Sequence, residues 1–243
     1  RTTYICVLCG LAAVCAELWE IPCGALSSCI TSDPAAQAGL MGGRILVSAV
    51  AVSGVFLPLG PHLSGWLPAV CLLPFALLCC AGTREAVPAG ARAGIWEWTE
   101  STVRSIPLLR LLPGFFALGF MGLGRMVVAR YYFTYVLQDT RSYAFFSQGH
   151  GLLGGLGALL GVALLHRLFR CRESACVFCC AVLVAASVLL CTVNPISLGT
   201  PVVLIILWTG SLASGMAAGL LYGMLPGTVE YAQRRTGARS DGL

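Results

Sequence analysis

The chain has no lysine, and all fifteen of its basic residues are arginine. Charge of either sign is scarce, at 10% of residues against roughly 25% in ordinary soluble domains. With 58% hydrophobic residues, so little charge excludes a water-facing globular surface, and lipid is the cover that remains. The missing lysine excludes a retinal protein, whose Schiff base needs a lysine amine. No nucleic-acid partner is expected from a chain with so few basic residues. The first apolar run is not expected to be a signal peptide, since it carries no charged n-region and no small-residue cleavage site. That run starts almost at Arg1, and Leu243 follows closely on an arginine cluster, so both ends are expected to be cut from a longer protein.

In hydrocarbon every backbone N–H and C=O must be satisfied within the structure, which leaves helices or closed barrels. The apolar stretches here run unbroken for about 17 to 23 residues, the length of a spanning helix and twice that of a barrel strand. The expected fold is therefore all-α, a polytopic bundle of about seven transmembrane helices at 4–26, 41–60, 66–82, 107–130, 144–165, 174–193 and 201–226. Arginine is concentrated in every second connection, near Arg44, in 83–106, in HRLFRCRES at 166–174 and in the tail, with Arg141 alone in the intervening 131–143. The positive-inside rule requires this alternation, and it places residue 1 outside the cytoplasm and the tail within it. The connection 83–106 is the longest and mixes Glu85, Glu97 and Glu100 with arginines, suiting a surface helix or a solvated linker equally. The thirteen cysteines lie mostly inside the apolar runs, where they read as small packing residues, and no metal site is expected. Small residues four apart, at Gly151 and Gly155, Gly157 and Gly161, and Gly215, Gly219 and Gly223, allow helices to approach closely.

The ionisable residues inside the spans carry the functional information. Glu17 and Glu20 lie in the first apolar run with no basic residue in the same segment. An ionised side chain at the bilayer centre costs about 3 kcal/mol or more, so such residues face a polar cavity and bind something. Three residues apart on a helix, the two carboxylates share a face, and they are comfortable only with a shared cation, a proton or an arginine partner. Pro22 removes a backbone donor just beyond them, which frees a carbonyl about a turn earlier. Arg44, at the entrance of the second span, is a counter-charge for the pair or a positive-inside anchor. In the fourth span Arg130 and the tyrosines of YYFTY suit the membrane interface, whereas Arg125 lies deeper. Gln148 and His150 are polar near the start of the fifth span, where a histidine is expected to hydrogen-bond a neighbouring helix.

Three stretches match one family in order and spacing: LWEIPCGALSSCITSDPAAQAGLMGGR, RYYFTYVLQD and GMLPGTVEYAQRRTGARSDG. They resemble the fourth-to-fifth helix region, the end of the seventh helix and the tenth helix with its cytoplasmic loop in the glycoside-pentoside-hexuronide:cation symporters. These are the melibiose permease group of the major facilitator superfamily. The resemblance implies that the seven spans are helices four to ten of a twelve-helix transporter. Residues 1–82 would hold the last three helices of the N-terminal half and 83–106 the central cytoplasmic loop. Residues 107–243 would hold the first four helices of the C-terminal half and a cytoplasmic loop. It also implies that Glu17 and Glu20 bind the coupling cation, that Glu20 and Arg44 bind the solute, and that Glu230, Arg234, Arg235 and Arg239 belong to a cytoplasmic gate. The chain departs from the pattern at Gly24 and Ala218, where aromatic residues are expected, and at Gly227 and Gln233, where acidic ones are. Melibiose itself is therefore not carried over as the solute.

The function expected is cation-coupled symport of a sugar or glycoside by alternating access, driven by Na⁺ or H⁺, in a multi-pass protein of the cell membrane, by resemblance the bacterial inner membrane. No other cofactor is expected, and the partners are a small-molecule solute, the coupling cation and the lipid bilayer. The alternatives are a seven-helix receptor, which shares the outside-to-inside orientation, and a transporter of a non-sugar solute. An enzyme is not expected, since no catalytic constellation gathers at either membrane face.

Overall fold

The computed structural model describes residues 30–31, 33–51, 106–165, 171–192 and 199–236, with a few isolated positions besides. All regular structure among them is helical. The helices are α1 (Pro34–Val50), α2 (Ile106–Tyr131), α3 (Thr140–Leu160), α4 (Arg172–Thr192) and α5 (Thr200–Thr236). Wider π-helical turns extend α2 through Tyr132–Val136 and α3 through Gly161–Leu165. The fold is the all-α membrane bundle expected, and α2 with its π-turn, α4 and α5 up to Leu225 are long and apolar enough to cross a bilayer. Of the other expected spans, 4–26 and 66–82 lie almost wholly outside the described residues, as does the central connection 83–106.

The observed boundaries correct the hydropathy reading in three places. α1 begins at Pro34 and not near residue 41, because proline suits a first helical position and the Asp33 carbonyl accepts the Gln37 amide at 3.0 Å. The YYFTY run stays helical: the Leu137 amide reaches back to the Tyr132 carbonyl at 3.1 Å and the Asp139 amide to the Phe133 carbonyl at 2.9 Å. Gln138 then takes a left-handed φ of 52° to reverse the chain, and the Asp139 side chain accepts the Ser142 amide to start α3. Finally, α5 continues through Pro226 and Gly227 to Thr236, where a cytoplasmic loop was expected. At about 1.5 Å per residue its 37 residues reach about 55 Å, well beyond a hydrocarbon core of about 30 Å, so its last turns stand clear of the membrane.

α5 is the axis of the bundle and packs against each of the other four helices, while α1 also packs against α3. The seam between α3 and α5 is lined by the small residues noted in the sequence. A Cβ on Gly215 would run into the Gly154 backbone, one on Gly219 into the Ala158 carbonyl, and one on Gly157 into the Leu212 carbonyl. On the other side of α3, Gly155 faces Leu46 and Ala49 of α1. Two small cores flank this seam. One gathers Ala129, Phe133, Phe146, Val203 and Leu207, and the other Ala175, Cys179, Ala217 and Leu220. The outer side of α2 is bare, with Phe116 77% and Leu123 75% exposed, an apolar surface suited to lipid or a neighbouring helix.

Candidate functional site

Within the bundle a polar chain joins three helices. Arg125 of α2 donates from Nη2 to the Leu207 carbonyl of α5 at 2.7 Å, and its guanidinium lies on Gly210, where any Cβ would collide with it. The same Leu207 carbonyl also accepts the Ser211 hydroxyl at 2.9 Å, a bond back to the carbonyl one turn earlier on α5. Ser211 is fully buried, and its Oγ lies 2.7 Å from Nδ1 of His150 on α3. Ser211 Oγ is thus the atom shared by both bonds, joining His150 of α3 to the Leu207 carbonyl of α5. Such a network holds α2, α3 and α5 in register where water is scarce. Glycine at 210 and at 149 makes it possible: Gly210 leaves room for the guanidinium, and Gly149 lies directly under the Trp208 indole.

The network is incompletely satisfied. Nη1 of Arg125, the Tyr132 hydroxyl and the Trp208 indole N–H are buried without a hydrogen-bond partner among the described residues. Arg125 and Tyr132 both line a cavity of about 340 Å³ between α2, α4 and α5, whose other walls are mostly apolar and include Phe120, Val128 and Leu190. A second, more polar cavity of about 710 Å³ opens between the other ends of the same helices, with Arg110, Glu173, Thr228 and Tyr231 on its walls. Near it, Arg172 donates to the Gly223 carbonyl at 2.7 Å and so ties the start of α4 to α5.

A family model for MFS/sugar transport proteins matches residues 2–243. The chain belongs to that family. It is thus a multi-pass membrane transporter of sugar type within the major facilitator superfamily, and the buried polar chain lies inside the helical body of such a carrier. No curated protein and no solved structure matches the chain.

Of the residues singled out in the transporter's sequence, Glu17, Glu20 and Arg239 lie outside the described residues. Arg44 is partly buried on α1, the helix that packs on α3 and α5. Glu230, Arg234 and Arg235 are carried by the last turns of α5, and their side chains are outside what the structure describes. His150 makes the interhelical hydrogen bond expected of it. Tyr131 and Tyr135 are exposed and stacked on each other, as an aromatic belt requires, but Tyr132 between them turns inward. Ser211, Trp208 and the Leu207 carbonyl were not anticipated. A serine four residues after an apolar position in mid-span, able to bond back to the carbonyl one turn earlier, is the signal that would have found the first of them.

Proposed function

We propose that this transporter couples the movement of a sugar or glycoside to Na⁺ or H⁺ by alternating access, with the chain supplying helices four to ten of a melibiose permease-like carrier. The reading is supported by the sugar-transport family match over residues 2–243, combined with two carboxylates in an apolar run of the sequence that holds no basic residue. The cation neutralises Glu17 and Glu20, and the solute hydroxyls are then accepted by Glu20 and met by the Arg44 guanidinium. Glu230, Arg234, Arg235 and Arg239 form weak, water-exposed pairs that bias the carrier between its two states. The protein is placed in the cell membrane, by resemblance that of a bacterium, and no catalytic step is assigned to it. Glycine seams support a moving role, because faces without side-chain knobs let helices shift with little repacking.

Uptake of a solute panel by the complete protein, under imposed Na⁺ and H⁺ gradients, tests this reading. Glu20→Gln keeps size and hydrogen bonding while removing the charge, so it should abolish cation stimulation of solute binding, and Glu17→Gln should weaken it less. A Glu20→Gln carrier with full cation-dependent uptake would remove the carboxylate from the coupling site.

A further inference from the structure

The cavity of about 710 Å³ between the starts of α2 and α4 and the far end of α5 is layered by depth. Leu225 closes the part of α5 that is apolar enough to span, and two of the cavity's walls, Thr228 and Tyr231, follow it by about 4 to 9 Å at the helical rise. The headgroup zone outside the hydrocarbon is about 5 to 8 Å deep on each side, so these walls stand at headgroup level. Arg110, near the start of α2, and Glu173, the second residue of α4, join them there. All three of Arg110, Glu173 and Tyr231 are exposed, so this layer offers both signs of charge to whatever enters. About one turn deeper the walls turn apolar, with Cys176 and Val177 on α4 and Leu221 and Met224 on α5. Val177 is 68% exposed, and the groove is therefore open sideways to the bilayer as well as to water. The arginine pattern assigns this end of the bundle to the cytoplasm.

We propose that this groove holds one phospholipid of the cytoplasmic leaflet whose headgroup carries a phosphate and a primary amine, a phosphatidylethanolamine. The Arg110 guanidinium meets the phosphate, the Glu173 carboxylate accepts from the ammonium, and an acyl chain lies along Cys176 and Val177. Opposite charges on two different helices suit a ligand that carries both. An anionic headgroup such as phosphatidylglycerol gains Arg110 but is repelled by Glu173, and phosphatidylcholine has no N–H to give to the carboxylate. A soluble phosphate ester would leave the apolar floor uncovered. Such a lipid ties α2 to α4 beside the bond from Arg172 to the Gly223 carbonyl, which already ties α4 to α5. The site shares no residue with the proposed cation and solute positions, so it goes beyond the transport reading and is measurable without transport.

The test uses the complete transporter, delipidated in mild detergent and offered equimolar phosphatidylethanolamine, phosphatidylglycerol and phosphatidylcholine with identical acyl chains. Native mass spectrometry then counts the lipids retained. Retention of phosphatidylethanolamine is expected, preferred about threefold or more over either competitor, and Arg110→Gln should weaken it about tenfold. Glu173→Gln should instead level phosphatidylethanolamine and phosphatidylglycerol, because it removes the acceptor for the amine and the repulsion of the anionic headgroup together. Both side chains are exposed, so neither substitution opens the core. Glycerophosphoethanolamine, the same headgroup without chains, should not displace the lipid. Displacement by it would make this a site for a soluble phosphate ester and overturn the lipid assignment. Absence of retained phosphatidylethanolamine, as when Arg110 and Glu173 pair with each other or a further helix of the complete transporter fills the groove, overturns the proposal. So does equal retention of the three lipids, or a preference that neither substitution changes.

Discussion

The α3–α5 seam and the outer face of α2 have similarly apolar sequences and opposite surroundings. In the seam, glycines and alanines bring two backbones into contact, and one buried serine–histidine bond crosses it. On α2 the glycines at 119 and 122 have nothing within 4 Å of where a Cβ would stand, and large side chains project outward. The buried share of the spanning window makes the same contrast, 44% in α5 against 6% in α2. Glycine in a membrane helix therefore has two separate meanings. It is a contact requirement where another backbone lies against it, and elsewhere it is only a loss of helix propensity.

Breaking the seam should have the largest effect. Gly215→Leu drives a side chain into the Gly154 backbone, which cannot yield as a flexible side chain would, so destabilisation of about 3 kcal/mol is expected. Thermal unfolding in nanodiscs, read by a thiol dye on the buried Cys179, measures it; an unchanged melting temperature would mean that the helices are not in contact. Ser211→Ala should cost about 1–2 kcal/mol, since it leaves Nδ1 of His150 without its partner. A double substitution with His150→Leu should recover part of that loss, and a coupling of zero between the two sites would disprove the bond. Gly122→Ala, on the bare side, should instead stabilise by about 0.5–1 kcal/mol through helix propensity alone. Destabilisation there would reveal a neighbour that covers α2.

The smallest effect lies outside the membrane, at the start of α3. The Ser142 hydroxyl donates to the Asp139 carboxylate at 2.5 Å, and with the Ser142 amide it holds that carboxyl below its ordinary value of 3.8. A depressed acid stabilises the fold fully above its unfolded pKa and loses that contribution as pH falls through the folded one. The stability difference between the wild-type chain and Asp139→Asn should therefore be constant through neutral pH and vanish in acid below about pH 4. A difference that grew as the pH fell would reverse the assignment.

Much of this was legible in the chain itself. Runs of apolar residues located the helices at 106–131, 172–192 and 200–225 to within a few residues, because hydrocarbon demands continuous hydrophobicity and an internally bonded backbone. Hydropathy was silent where those demands stop. The overhang of α5 and the early start of α1 are set by propensity and capping, to which a lipid-transfer scale is blind. Arg125 and His150 stood out because charge and polarity in a membrane are costly, yet their partners did not. Arg125 is held by a backbone carbonyl on a helix 82 residues away, and every residue has a carbonyl.

By itself, then, the sequence determined that this protein is a bundle of membrane helices, since composition and run length leave no other way to satisfy the backbone in lipid. The tertiary structure alone decided which glycines are contacts and which are bare, and which polar atoms are matched. Those properties depend on what lies across from each residue, and the helices that face each other are distant in sequence. It also decided that the Tyr132 hydroxyl is buried while Tyr131 and Tyr135, four residues apart on one helical face, stay exposed.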